Sequence, residues 1–274
     1  MALIVALLFV RSLFPGGYAE IAKTQSPLPD NRQEAERLWE LAIAAKGGRE
    51  RLHSVNNLQI SIREKYWYQL RRVPLIAEEL YVFPDKSWEW DDQRKTIFGF
   101  SLKTYNRAQK IDFWYTDHGK GGSLGIVSDY VHGDGGLIHL YDVQLRYLME
   151  TKWVKPIPIS VQKAKRHGKW VDIVQTLIKG YPTRDGTNEE RLAFALDQET
   201  HLPVMLIYTT VTFGQEYTGE VPLTDYVEVA GIQMPSKVYD LKTNYQINVD
   251  YDEDVFIREP NVAAGITQWI KKPR

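Results

Sequence analysis

The chain contains no cysteine. Disulfides, thiolate metal sites and a lipid-modified N-terminal cysteine are therefore excluded. It also lacks any block of five or six like charges. Its formal net charge is −1, from 34 Lys and Arg against 35 Asp and Glu. Nucleic acid recognition needs a basic stripe to meet phosphates, so no nucleic acid partner is expected. The densest basic cluster, Lys163, Lys165, Arg166, His167 and Lys169, is short and isolated. It reads as the solvated face and turn of a hairpin. No regular alternation of strands and helices is visible, which argues against a doubly wound α/β fold. There is no repeat of fixed period.

What remains is an ordinary globular composition, with 43% hydrophobic and 25% charged residues over 274 positions. A chain of this size buries a substantial core without staples. Aromatic residues make up 12%, including 16 Tyr and 8 Trp. Such residues favour strands and also line pockets, and core packing accounts for most of them.

Met1 to Val10 is almost wholly apolar, Arg11 interrupts it, and Pro15, Gly16 and Gly17 break any helix. Gly17 and Ala19 supply small residues where a signal peptidase needs them. This layout predicts a secretory signal over residues 1–19 and an extracytoplasmic, periplasmic location. The run is shorter than the roughly 20 apolar residues that span a bilayer. No Lys or Arg precedes it, so a buried N-terminal strand or helix is the alternative. Residues 20–30 read as a flexible leader, and residues 31–274 as a single domain.

The first folded element is a helix over residues 31–46. Asp30 is placed to cap it, with Gln33 completing a capping-box pattern. Ala35, Leu38, Trp39, Ala42 and Ile43 make its apolar face, and Gly47 and Gly48 end it. Strand patterns then follow at 58–62, 79–83, 87–91, 96–100 and 111–115. Residues 116–136, rich in Gly and Asp, break the series. A helix near 137–150 follows, with Ile138, Tyr141, Leu145 and Leu148 on one face as a lid over the sheet. The pattern resumes at 161–166 and 169–177 around His167-Gly168, at 191–196 and 204–213 around a turn beginning at Asp197, and at 223–229 and 232–241 around Ala230-Gly231. Residues 245–251 are the last clear strand, and residues 266–271 form a short helix. About ten strands joined by short turns make an antiparallel sheet, since a parallel pair needs a longer crossover. The fold class expected is α+β, mainly antiparallel β.

Four features of this layout resemble the LolA/LolB-like superfamily of periplasmic lipoprotein carriers. The opening helix ends Ala44-Ala45-Lys46-Gly47-Gly48, followed by Leu52, Val55 and a strand at Leu58. Leu196 to Val204 reads as a strand–turn–strand with Leu202-Pro203 opening the second strand. Asp225 to Pro235 matches a recurrent pattern of the group. The exported, mostly β organisation with an inserted helix is the fourth. The resemblance spans residues 31–251. It implies an incomplete, half-open β-barrel with helices covering its concave face. It also implies a non-enzymatic carrier of a lipid-like ligand such as an acyl chain or lipoprotein, without a cofactor. A membrane-bound donor or acceptor would be its partner. The carriers' ligand residues match no positions here one by one.

On an incompletely filled curved sheet, inward positions alternate with outward ones, and each buried methylene of a ligand gains about 0.8 kcal/mol. Trp67, Trp88, Trp90, Phe113 and Tyr115 are the candidates to line such a cavity; the alternative is that they fill an ordinary core. A filled core would leave a non-catalytic scaffold or interaction module.

Enzyme signals are weaker. Gly121-Gly122-Ser123-Leu124-Gly125 matches G-x-S-x-G, which makes Ser123 the one esterase candidate. A nucleophile elbow requires a strand-to-helix turn, and here no apolar strand precedes it. His118, His132, Asp134 and His139 match no compact metal-ligand spacing. Asp117, Asp129 and Asp134 lack the spacing of a calcium loop. Glu78 and Glu79 are adjacent, so a strand sends them to opposite faces. No catalytic residue and no metal is expected.

Overall fold

A computed structural model describes residues 31–256, apart from 69–70, 94–98, 110, 118–122, 128–134, 181–188, 213–214 and 240. The expected signal, leader and terminal helix lie outside the described residues, as do His118, His132, Asp129 and Asp134.

Helix α1 (Arg32–Ala45) buries Ala35, Leu38, Trp39, Ala42 and Ile43, the face that periodicity assigns to it. Its N-terminus differs from expectation. Asn31 occupies the cap position, yet its side chain makes no capping bond. The amide donates instead to the Val161 carbonyl and accepts from the Val161 N–H at 3.0 Å. It thereby acts as a neighbouring strand for a backbone edge that lacks one. Gly47 and Gly48 take φ of 122° and 91°, and α2 (Arg49–Ser54) begins at once.

The strands are β1 (Asn57–Tyr68), β2 (Arg71–Val82), β3 (Lys86–Gln93), β4 (Gly99–Asn106), β5 (Ile111–Asp117) and β6 (Ser123–Val127). After α3 (Gly135–Leu148) come β7 (Ile157–Arg166), β8 (Lys169–Lys179), β9 (Glu189–Asp197), β10 (Pro203–Thr212), β11 (Gln215–Val229), β12 (Ile232–Val238) and β13 (Leu241–Ile247). All join one sheet in the order β6-β5-β4-β3-β2-β1-β13-β12-β11-β10-β9-β8-β7. Each pairing is antiparallel. The first six strands meander outward to one edge. The chain then crosses through α3 to the opposite edge and meanders back until β13 pairs with β1, Leu58 against Ile247. The edges β6 and β7 do not pair, so the sheet is open and not a closed barrel.

The described residues form thirteen strands where about ten are expected, and the differences have local causes. The strand read at 79–83 is the end of the long β2, whose first half carries Arg71, Arg72 and Pro74 and so hides its period. Ser123–Val127 pairs with β5 inside the segment read as a break. The strand read through 241 stops at Val238, because Tyr239 turns the chain with φ of 51°. The hairpin turns are as expected: His167-Gly168 has φ of 47° and 83°, and Ala230-Gly231 has 51° and 77°, the left-handed pairs that match strand twist. The Asp197 carboxylate accepts from the N–H groups of Glu199 and Thr200, fixing the β9–β10 turn.

The main core lies between the helices and one face of the sheet. It joins Leu38 and Trp39 of α1, Leu140, Leu145 and Leu148 of α3, and Leu58, Tyr81, Phe194, Leu223 and Met234 of the sheet. α3 is buried around most of its circumference, Gln144 included. Of the four residues expected on its lid face, Leu145 and Leu148 are fully buried, while Ile138 and Tyr141 are half-buried against the same core. Two smaller clusters lie on the other face: Leu80, Val82, Trp88 and Leu102 with Phe256, and Val171, Ile173, Ala195 and Met205.

Candidate functional site

Strand alternation sets which residues meet α3. Glu79 of β2 pairs with Glu89 of β3, and Glu89 pairs with Lys103 of β4. The three share a face. Glu78, by contrast, bonds Arg63 at 2.9 Å, so the adjacent carboxylates do point apart.

His139, in the first turn of α3, descends onto this row. Its Nε2 lies 3.0 Å from Glu89 Oε1 and 3.1 Å from the Tyr81 hydroxyl. Tyr81 donates to Glu79 Oε2 at 2.9 Å. Lys103 donates to Glu89 Oε2 at 3.3 Å. Burial separates the two acids. Glu79 is pushed up by desolvation and then by the nearby Glu89 charge. Desolvation also opposes ionisation of Glu89, but His139 and Lys103 outweigh it and hold Glu89 low. Burial opposes the charge on His139; the Glu89 carboxylate overrides it, and the net shift is upward. Of the two acids, Glu79 is thus the one disfavoured as an anion and Glu89 the one favoured. A split carboxylate pair can serve acid–base chemistry. Here both oxygens of Glu89 are already taken by His139 and Lys103, and the arrangement works as a clamp between helix and sheet.

The seam continues along α3. Arg146 lies two turns beyond His139, with its guanidinium 5.9 Å from the Tyr147 ring. Its Nε is buried with no hydrogen-bond partner among the described residues. Tyr147 stacks edge-on against Tyr245 at 5.4 Å. At the helix end, Glu150 accepts from Trp39 at 3.2 Å and Arg49 at 2.8 Å, and meets His53 at 2.9 Å. Lys46, fully buried, donates to the Tyr147 carbonyl at 2.7 Å and to the Gln233 carbonyl. Burial pushes its ammonium down to about 7.

The expected site residues fall differently. Trp88 pairs with Leu80 and Trp90 with Glu78, so both occupy the sheet face away from α3, where Trp88 packs in the Phe256 cluster. This corrects their assignment to a helix-roofed cavity. Glu89 lies between them and takes the inward position. The side chains of Trp67, Phe113 and Tyr115 lie outside the described residues; their backbones pair with Arg72, Thr104 and Leu102. Ser123 opens β6 and pairs with Asp117, so it heads a strand rather than a helix, unlike a nucleophile elbow. Among the described residues no group of three or more His, Asp or Glu is arranged to hold a metal ion. The clamp itself was missed. Its signal in the sequence is faint: Ser87, Glu89 and Asp91 alternate with Trp88 and Trp90, so Glu89 reads as part of a solvated face.

No family model and no curated protein matches the chain. Solved structures do. A DUF1329 family protein from Desulfovibrio piger ATCC 29098 has a TM-score of 0.44 at 10% identity, over 83% of this chain and 98% of that one. A LolA superfamily protein from Nitrosomonas europaea has 0.45 at 9%, over 82% and 97%. A Vibrio parahaemolyticus domain described as outer membrane lipoprotein-sorting has 0.40 at 12%, over 84% and 98%. The relationship is distant.

Proposed function

We propose that the protein is an exported, non-catalytic carrier that holds a lipid-like ligand against the helix-bearing face of its sheet. The ligand lies where α3 gives way to β4–β6. The supporting observation is the mismatch between sheet and cover among the described residues. α3 packs on β3 and β12, and α1 on β7 and β8. A helix is about 10–12 Å across and strands lie about 4.8 Å apart, so one helix roofs only two or three strands. Three strands, β4 to β6, lie outboard of β3. An acyl chain laid along such a wing gains about 0.8 kcal/mol per buried methylene, enough for a long chain to outweigh ordering costs. The clamp fixes α3 at the inner margin of this wing. In this reading a membrane-bound donor or acceptor exchanges the cargo, and the signal-like N-terminus directs the chain to the periplasm.

The test is native mass spectrometry of protein isolated from its own host, followed by lipid extraction. A stoichiometric lipid that survives purification and leaves on denaturation is the expected result. Repeated absence of lipid sinks the carrier reading and leaves a scaffold with a filled core.

A further inference from the structure

The β7–β8 hairpin carries a feature that neither the core nor the clamp explains. Among the described residues two large hydrophobic side chains are exposed, Trp170 at 59% and Val227 at 43%. Trp170 sits directly opposite Lys165 in the hairpin register. The next rung toward the turn is Arg166 opposite Lys169, and His167-Gly168 forms the turn itself. Rungs alternate in facing, so Trp170 shares its side with Lys165 and Lys163, while Arg166 and Lys169 flank it from the other side.

The neighbouring acids leave much of this charge free. Arg166 approaches Glu220 at 3.8 Å. Lys169 acts at longer range on Asp197, whose carboxylate is occupied by its own turn. Glu34, on which Lys163 acts, is bonded to Arg37. Asp172 is buried and accepts from Gln198. Among the described residues no ion pair is formed by Lys165. β7 is the free edge of the sheet, and lysines there serve to repel edge-to-edge pairing. An exposed tryptophan does the opposite, so edge protection accounts for the lysines alone. A tryptophan ringed by cations is instead suited to a lipid headgroup region. There the indole places its apolar body below and its N–H in the wet layer.

We propose that the tip of the β7–β8 hairpin is a peripheral docking surface for an anionic lipid bilayer. Trp170 enters the headgroup layer, and the exposed Lys165 and Lys169 meet the lipid phosphates. The inference is independent of whether the sheet carries a ligand.

The experiment is flotation of the full chain with phosphatidylcholine vesicles, with and without about one-third phosphatidylglycerol. The parent is expected to float only with the anionic vesicles at low salt, and to be released near 0.5 M salt, where the screening length falls to about 4 Å. Each cation near an anionic surface strengthens binding about five-fold, so Lys165→Glu with Lys169→Glu reduces partition at least ten-fold. Trp170→Ser reduces it by about the same factor. Both changes are on the exposed tip, and an unchanged thermal melt confirms the fold; should Trp170→Ser fail to fold, the lysine pair carries the test. The proposal is overturned if the parent ignores anionic vesicles or binds neutral ones equally. It is also overturned if the folded variants float like the parent, which would assign the binding to the apolar N-terminus.

Discussion

Lys46 offers the sharpest test of the packing. Its ammonium is completely buried at the junction of α1, α3 and β12, and burial lowers its proton affinity to about 7. An ordinary lysine holds its proton to about 10.4. Below about pH 7 both folded and unfolded chains are protonated, and the folded state bears the whole cost of the buried charge. Between about pH 7 and 10.4 the unfolded chain binds more protons, so stability rises with pH. One unit is worth about 1.4 kcal/mol, which sets a ceiling of about 3.4 kcal/mol between pH 7 and 9.5. Two carbonyl acceptors and the Tyr226 ring at 5.3 Å favour the charged form. The expected gain is therefore about 2–3 kcal/mol. Above about pH 10 the buried tyrosines reverse the trend. Burial raises Tyr81, Tyr226 and Tyr245, so the unfolded chain loses those protons first.

The assay is urea unfolding of the parent and Lys46→Met from pH 6 to 9.5. The variant strands two buried carbonyls at about 1–3 kcal/mol each but removes the buried charge. It should be only mildly destabilised at pH 6 and clearly so at pH 9.5. Parallel pH profiles for the two proteins would falsify the reasoning, because they would mean that Lys46 titrates normally or is not buried.

The remaining predictions concern neighbouring contacts. Gly47→Ala drives a Cβ into the Gly231 carbonyl oxygen at a φ of 122°, and should cost about 3 kcal/mol or prevent folding. Gly168→Ala, with nothing within 4 Å, should cost only about 1 kcal/mol, and thermal melts of the two give the contrast. Glu150→Gln leaves His53 without its carboxylate and Arg49 with Glu40 alone. About 2 kcal/mol should be lost near pH 7, with the deficit shrinking as acid neutralises the parent's Glu150, whose affinity the Arg49, Trp39 and His53 bonds lower against desolvation. His139→Gln breaks the clamp. Because the folded-state value is raised, the stabilisation is complete below about pH 6.5 and fades as pH climbs through that value. The variant should be about 1–2 kcal/mol less stable at pH 6 and closer to the parent at pH 8.5, as measured by denaturant titration. A deficit constant across pH would show that the His139–Glu89 charge pair contributes nothing.

Local chemistry made part of this legible. Ala35, Leu38, Trp39, Ala42 and Ile43 repeat at helical spacing, and each is buried. His167-Gly168 and Ala230-Gly231 announce hairpins because few other pairs tolerate two successive positive φ angles. Glu78 and Glu79 were separable because a strand reverses direction at every residue. Where local and tertiary demands diverged, the reading slipped. Asn31 has the chemistry of a cap, but the unpaired edge of β7 competes for its amide. Trp88 and Trp90 have the right period for a cavity wall, but period alone does not say which face is roofed.

The sequence by itself determined a predominantly antiparallel chain, its helix faces and its tightest turns, because these depend on residues a few positions apart. Only the tertiary structure decided that β1 and β13 join the two halves of the sheet at its middle, that α3 crosses between its edges, and that Glu79, Glu89, Lys103 and His139 meet. Those contacts join residues up to about 190 positions apart. Their energy comes from burying apolar surface and from pairing the charges buried with it, and that is set by which elements pack rather than by any local propensity.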